Sequence, residues 1–436
     1  MRRPSRVGAF PYVLPSVAAD EMTIPFVDIA IIGGGPGGLA LAQGLRKNGI
    51  AVAVFERDHV RADYVQGFRL RIRQRGLDVL AANLPDALYA AFLDTIGSAP
   101  AHSVTLDETF APLPARASAH DAEDTHIDKS VSRITLRQIL LTGLEDVVHT
   151  GRAFTRYEPQ DDGTVIAHFA DGSAVRTNLL VGADGAGSAV RRQMLPDFRV
   201  VDTGMRRLAG KMTLAVAESL GIAPLLLDYN ASIRPAQGRG MMVTSHRVDA
   251  AAYARHGLIG QDDPTHRDIA GAHFDNTTSY VWWNTAYERD ELAADAVLEG
   301  LDGQGLRDLL VDHIADWDAR IVRLIRHSDP STVALLKVRT SEPGAEWKTG
   351  PVTLLGDAIH SMTYFKALGG NTALHDAGLL TGELVRARHA GKPLRTAVHD
   401  YEVAMREHGY AAVRGSLNAM LANAAATRPA LPVAAE

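Results

Sequence analysis

The sequence predicts an α/β protein: a parallel sheet entered through a βαβ unit, an inserted and mainly antiparallel sheet, and long helices at the C-terminus. Three observations predict it. Phe26 to Ile32 is an apolar, β-branched run that ends in glycines, continues into helix-spaced Leu39, Leu41, Ala42 and Leu45, and is followed by a second apolar run from Ile50 to Phe55. Between about 200 and 290 the pattern changes to short strand-like pieces, such as Gly240 to Ser245 and Ser279 to Trp283. From Asn371 to Ala390 and from Leu394 to Ala425 the spacing is helical.

Taken in order, Met1 to Pro25 is interrupted by Pro11 and Pro15 and is too short to span a bilayer, so it reads as a disordered extension. Two parallel strands need a crossover, which the helix after Ile32 supplies. From Gly67 to Arg75, Phe68, Leu70 and Ile72 alternate with Arg69, Arg71 and Arg73, a two-faced strand outside the parallel core. Ser132 to Leu144 reads as a helix and Asn178 to Asp184 as a buried strand returning to the first sheet. Leu306 to Leu324 reads as one helix, and Val352 to Leu355 returns to the sheet once more. The boundaries that follow are a disordered extension at 1–23, a nucleotide-binding unit at 24–66, 100–200 and 291–392, a substrate-binding sheet unit at 67–99 and 201–290, C-terminal helices at 393–426, and a frayed tail at 427–436.

With 436 residues and 46% hydrophobic content, the chain can bury one large core or two ordinary ones. Its net charge of −6, with both signs mixed along the chain, offers no footprint for nucleic acid or an anionic membrane. No apolar run approaches ~20 residues, so no membrane association is expected. The absence of cysteine removes disulfides, thiolate metal sites and cysteine nucleophiles, and agrees with a reducing, cytoplasmic compartment. Small-molecule chemistry remains, in a monomer or homodimer.

Gly33, Gly35 and Gly38 fit G-x-G-x-x-G directly after a strand and at the start of a helix. The first glycine allows the tight turn, the second lets backbone approach a pyrophosphate, and the third lets helix and strand pack closely. Glu56, at the tip of the second strand and followed by Arg57, stands near the ~20-residue offset of an acid that binds a ribose hydroxyl. Together these predict a Rossmann-type dinucleotide-binding unit. The fingerprint does not distinguish NAD from FAD.

Further motifs do. Gly182 to Arg191 resembles the Asp-Gly motif, and Gly356 to His360 the Gly-Asp motif, of the single-component FAD-dependent aromatic hydroxylases, the para-hydroxybenzoate hydroxylase-like flavoprotein monooxygenases. The three motifs stand in that family's order and spacing, from about Thr23 to Ala412. The resemblance implies a Rossmann-type FAD-binding domain with an inserted, mainly antiparallel substrate domain. It implies FAD as cofactor, NAD(P)H as transient reductant and O2 as co-substrate. A C4a-hydroperoxyflavin would then hydroxylate or epoxidise an electron-rich small molecule, aromatic or polyketide-type, in secondary metabolism. In the same terms Arg137 contacts the flavin side and Asp184 serves both FAD and the nicotinamide cofactor. Asp357 accepts from ribityl hydroxyls, and Gly369, Gly370 and Asn371 begin a helix aimed at the pyrimidine edge of the flavin. Asp184 also reads as a cap of the helix at 186–194, and Asp357 as a turn acid.

Where the family usually shows Pro-x-x-Gly, this chain has Tyr364-Phe-Lys-Ala367. That departure admits a second reading, a redox-neutral FAD-bound cyclase or isomerase. Arg71, Met242, Trp283 and Tyr364 are the candidate substrate contacts, and Met241 and Trp282 are further candidate pocket walls, with core packing as the alternative for the Met and Trp residues. No catalytic acid or base is expected, since the flavin carries the reaction. His273 and Asp275 match the His-x-Asp of non-haem iron sites, but in a chain with seventeen histidines and no jelly-roll pattern they predict no metal.

Overall fold

Fifteen strands lie among the described residues, which are 24–58, 69–114, 129–249, 251, 278–344 and 346–427 of this computed structural model. The N-terminal extension, the tail after Thr427, and His273 with Asp275 lie outside them.

The first sheet contains β1 (Phe26–Ile32), β2 (Val52–Phe55), β6 (Val148–His149), β7 (Phe154–Pro159), β8 (Val165–Phe169), β9 (Ala174–Gly182) and β15 (Val352–Leu354), in the order β6-β2-β1-β9-β8-β7 with β15 also on β9. β1 runs parallel to β2 (Ile31 opposite Val54) and to β9 (Ile31 opposite Val181). One edge of β9 is divided: its first half pairs antiparallel with β8 and its second half parallel with β15. The second half of β1 is buried throughout because helices cover the parallel strands. Those helices are Pro36–Lys47, started by a proline in its first turn, and Gly369–His389, which pack on one another, together with Gln74–Asn83 and Leu394–Thr427.

The second sheet has the order β14-β10-β13-β12-β11-β4, from β4 (His102–Leu106), β10 (Val200–Thr213), β11 (Tyr229–Ile233), β12 (Met241–His246), β13 (Tyr280–Glu288) and β14 (Ala334–Ser341). All its pairs are antiparallel except β11 with β4. One face packs on helices Asp295–Gly300, Gly303–His313 and Ala319–Arg326 to form a second core around Trp283, Leu310 and Ile325. The single helix expected over 306–324 is two, and Asp318 starts the second by accepting from the Arg320 N–H. A small antiparallel pair, β3 (Arg69–Ile72) with β5 (Lys129–Ser132), completes the strands.

The unit boundaries expected from the sequence shift accordingly. β4 lies on the second sheet although it falls within 100–200, and β14 with the helices of 295–326 joins the second core although it falls within 291–392. Conversely, Leu77, Val79 and Leu80 of the helix within 67–99 pack in the first core. Composition changes mark where a chain alters its secondary structure. Here the chain crosses between sheets at other points, because β10 is long enough to take a partner on each side.

Candidate functional site

The loops leaving β1, β2, β9 and β15 build one wall of the site, at the carboxyl ends of parallel strands. After β1, Gly33 takes a φ of 112°, and a Cβ there would lie 2.3 Å from the Ala183 carbonyl oxygen; one on Gly38 would lie 2.3 Å from the Gly33 carbonyl oxygen. Only glycine suits either position. At Gly35, where the helix begins, a Cβ would meet no atom within 4 Å, so the backbone borders open space. Glu56, buried at the tip of β2, accepts from the Gly34 N–H at 2.6 Å and the Asp58 N–H at 3.1 Å. Arg137 donates from Nε to the Gly34 carbonyl at 3.2 Å, which brings it to the glycine loop. Arg57 is exposed and pairs with Asp58 at 3.3 Å.

Asp184 fulfils its reading as a helix cap. Its Oδ2 accepts from the Ala189 and Val190 N–H groups at 2.7 and 3.3 Å, at the start of helix Ala189–Met194. Its buried Oδ1 has no hydrogen-bond partner among the described residues. Arg191, buried, ties this motif to the next by donating to the Ala358 and Ala186 carbonyls.

Gly356 has a φ of 64° and turns the chain from β15 into the short helix Asp357–His360. Asp357 is accessible yet enclosed by protein, and burial raises its pKa, with His360 and Arg133 opposing. Helix Gly369–His389 starts opposite it, a Cβ on Gly369 reaching Asp357 Oδ1 at 3.7 Å. The first-turn N–H groups of that helix have no intrahelical acceptor. The Asn371 side chain is spent on the chain itself: Oδ1 accepts from the Arg73 N–H, and Nδ2 donates to the Arg71 and Ala367 carbonyls. That leaves its backbone for a ligand.

Behind this wall Asp376, wholly buried, accepts from the Gly356 N–H at 2.8 Å and faces His360 Nε2 at 2.6 Å and His408 Nε2 at 2.7 Å. Burial would raise Asp376, but the two histidines bring it down to about 2. Burial would lower His360, and the Asp376 charge and hydrogen bond raise it instead. The three side chains have the residue types of a metal site, but both nitrogen–oxygen separations are those of hydrogen bonds, and the carboxylate is satisfied by them.

The opposite wall is the free face of the second sheet, and strand alternation decides which side chains reach it. Val281, Trp283 and Tyr287 point into the second core, so Tyr280, Trp282 and Asn284 point the other way. Trp283 is therefore core: it is fully buried and donates from Nε1 to Ser328 Oγ at 2.7 Å. Met242 pairs with Asn284 and is 46% exposed. From β10, Arg207 lies 5.8 Å from the Trp282 ring centroid and 4.4 Å from that of Tyr364, and Lys211 lies 4.8 Å from that of Tyr280. Of the three alternating arginines it is Arg69, 5.7 Å from the Trp282 centroid, that enters this wall; Arg71 is exposed. His246 sits 2.9 Å from Ser130 Oγ, and burial, reinforced by Arg69 and Lys211, lowers its pKa to about 3. Arg69, Arg207 and Tyr364 keep part of their surface open, yet burial is the largest influence on each, lowering both arginines and raising the tyrosine. Side chains that are both accessible and desolvated line an enclosed cleft.

Sequence reasoning missed Arg207, Lys211 and Asn284, and it preferred Arg71 to Arg69. A signal existed in β10, where Leu208, Gly210 and Met212 alternate with Arg207, Ala209 and Lys211. The parity of Trp282 and Trp283 needed the strand's partners.

Between the walls runs Tyr364 to Ala367. Tyr364 and Phe365 stack at 4.6 Å, Arg73 donates to the Lys366 carbonyl, and Ala367 adopts a left-handed φ of 50°. Alanine there takes the backbone geometry that glycine would favour.

The open space over Gly35, the unpartnered Asp184 Oδ1, the Asp357 carboxylate and the helix starts at Pro36 and Gly369 fit FAD. A family model described as FAD binding domain matches residues 26–268 and 325–416. A dual O-methyltransferase/FAD-dependent monooxygenase of Phaeosphaeria nodorum is 30% identical over 409 residues, 86% of this chain and 42% of that protein. This chain thus spans under half the length of that relative and of similar proteins from two Cercospora species. A 3-amino-4-hydroxybenzoate 2-monooxygenase of Streptomyces platensis is 28% identical over 81% of this chain and 78% of that protein. Among solved structures, a candidate FAD-containing monooxygenase from Photorhabdus luminescens superposes with a TM-score of 0.74 at 29% identity, covering 91% of this chain and 99% of that one. Klebsiella pneumoniae HpxO, solved with FAD and uric acid, shares the fold at 22% identity, with a TM-score of 0.66 over 90% of this chain and 87% of that one. The glycine loop, the Asp-Gly and Gly-Asp motifs and these likenesses agree, and the chain belongs to the FAD-binding-domain family of flavoprotein monooxygenases.

Proposed function

We propose that the chain is an FAD-dependent monooxygenase that uses NAD(P)H and O2 to hydroxylate or epoxidise an electron-rich small molecule of the aromatic or polyketide type. The observation that carries this is the enclosed cleft, with Asp357 and the helix start at Gly369 on one side and Trp282, Arg207 and Tyr364 on the other. Bound there, FAD would supply the reductive activation of O2 that no side chain can perform. Gly35 would leave room for the pyrophosphate while Gly33 and Gly38 let the loop pack against protein, Glu56 and Asp357 would accept from sugar and ribityl hydroxyls, and Arg137 donates to the glycine loop. The helix start at Gly369 and Gly370 favours negative charge at the ring, as the reduced form requires. The enclosing sheet keeps bulk water from the reacting atoms. The balance is substrate, O2, NAD(P)H and a proton giving oxygenated substrate, NAD(P)+ and water. The aminohydroxybenzoate relative supports an aromatic substrate.

The redox-neutral alternative rested on the altered loop. Ala367 preserves the left-handed turn, so that substitution does not favour it.

The test is an anaerobic mix of the flavin-loaded protein with NADPH or NADH, with and without phenolic polyketides and benzoates. Flavin bleaching accelerated by one compound, and a product heavier by one oxygen on admitting O2, is the expected result. Conversion to an isomer of unchanged mass while the flavin stays oxidised would overturn it.

A further inference from the structure

Behind the flavin wall, Asp376 gathers two imidazoles from different elements. His360, on the short helix after Gly356, presents Nε2 to Asp376 Oδ2, the oxygen that also accepts from the Gly356 N–H. His408, on the helix Leu394–Thr427, presents Nε2 to the other oxygen, Oδ1, at 2.7 Å. Its second nitrogen, Nδ1, lies 2.8 Å from the Ala404 carbonyl oxygen. Both His408 nitrogens therefore face acceptors. A neutral imidazole has a single N–H, so only the protonated ring donates to both. His360 differs, because its Nδ1 is buried with no hydrogen-bond partner among the described residues. Of the two rings, His408 is the one whose surroundings favour a second proton.

The groups around His408 leave that charge in place. Asp376 stays ionised, held to about 2. From the same helix His375 packs on the His408 ring, centroids 4.4 Å apart, and burial, reinforced by His408 and by Arg75 of the helix Gln74–Asn83, lowers it to about 4. It is uncharged at neutral pH. Tyr401, raised by burial, donates to the Leu354 carbonyl, and Glu402 is occupied by Trp347, Thr349 and Thr353. Nearer the cleft, His360 and Arg133 act on Asp357. Against its burial, the Asp376 charge raises His360. Two imidazoles set on one carboxylate thus give a surplus of positive charge. It lies about two turns, ~10 Å, along the helix whose start at Gly369 faces the cleft.

We propose that His408 is a positioning residue for the cofactor: held by Asp376, its positive charge shifts the reduction equilibrium of FAD bound in the cleft toward the reduced form. This rests on the FAD reading of the site and is independent of which molecule is oxidised. Hydride transfer from NAD(P)H brings two electrons and one proton to the flavin and releases NAD(P)+, so the reduced ring carries one negative charge more than the oxidised one. A cation behind the wall favours that form. At ~10 Å and an effective permittivity of about 20, a unit charge alters such an equilibrium roughly tenfold.

The test equilibrates the flavin-loaded full chain with a reference redox dye in the absence of oxygen and reads the reduced-to-oxidised flavin ratio from absorbance, without turnover. His408→Gln keeps an N–H for Asp376 and removes the charge, and it is expected to lower that ratio roughly tenfold at neutral pH. His408→Lys restores a cation and is expected to bring the ratio back to within about threefold of the unaltered protein. His408→Asn, shorter and also uncharged, supplies the reading if the Gln variant does not fold. A merely structural role would displace the urea midpoints of the variants and leave the flavin ratio parental. A parental ratio in the uncharged variant would overturn the inference. So would a Lys variant displaced as far as the uncharged one.

The two readings fail separately. A parent that takes up no flavin overturns the FAD assignment and this inference with it. A parent that binds and reduces flavin, matched by His408→Gln, overturns this inference alone.

Discussion

Ala367 and Asp376 show how single residues around the cleft carry strain and charge. Ala367 keeps a φ of 50°, which costs an L-residue roughly 1–2 kcal/mol relative to glycine. Ala367→Gly is therefore expected to raise stability by about 1 kcal/mol, after allowance for the freer unfolded chain, as read in a urea titration. Asp376 is held to about 2 in the fold, against an ordinary value of 3.8. A lowered carboxylate contributes stability that is complete above its ordinary pKa and is lost as pH falls through its folded value. Acid unfolding should consequently steepen between about pH 4 and pH 2, and Asp376→Asn should flatten that segment of the stability curve. His360 has the opposite sign: its raised pKa contributes stability below the ordinary histidine range, lost as pH climbs through the folded value. Because Asp376 serves two histidines and the Gly356 N–H in a closed interior, Asp376→Asn should also cost about 3–5 kcal/mol at neutral pH. Equal urea midpoints for the variant and the parent at pH 7 would contradict this.

At the scale of elements, the glycine loop separates what folding requires from what a ligand requires. Gly33 and Gly38 face protein atoms at 2.3 Å, whereas Gly35 faces none within 4 Å. Gly35→Ala is expected to leave the stability of the cofactor-free protein within about 1 kcal/mol while weakening FAD binding at least tenfold. Gly33→Ala should fail to fold. Melting the cofactor-free proteins and titrating them with FAD distinguishes the two, and a Gly35→Ala protein with parental FAD affinity would remove the loop from the cofactor site. The βαβ unit was legible because apolar period, glycine spacing and helix start agree over one short stretch. Trp282 and Trp283 were left undecided between wall and core because two adjacent tryptophans on a strand have opposite fates, and only pairing with β10 and β12 fixes the parity. Arg71 was chosen over Arg69 for a related reason. An alternating strand declares its two faces, but which arginine meets the other sheet depends on where the strand ends and how the sheets are set.

For the whole molecule, the sequence revealed the parallel sheet, the antiparallel insertion and the C-terminal helices, and it numbered the motifs proposed to hold the cofactor. It did not reveal the path between the sheets. β4 and β14 reach the second sheet from stretches whose composition resembles the first, and the helix at Gln74–Asn83 packs in the first core from a stretch adjoining the arginine strand. Partners distant in sequence decide such memberships, and local propensity carries no record of them. The proposed substrate wall was hidden on the same account, since Arg69, Arg207 and Trp282 meet only after two sheets have formed.

The divided edge of β9 bears on the order in which the molecule can be made. β8 reaches β9 through a short hairpin, so half of that edge can be paired soon after it is synthesised. The other half must wait for Val352 to Leu354, which follow the entire second sheet. A ribosome-bound intermediate would therefore carry an unpaired parallel edge through the synthesis of β10 to β14. Its occupant arrives together with Gly356 and Asp357, the turn proposed to meet the cofactor. Closing the sheet and completing the flavin pocket are one late event, so folding competence and cofactor capture should be acquired together rather than in turn.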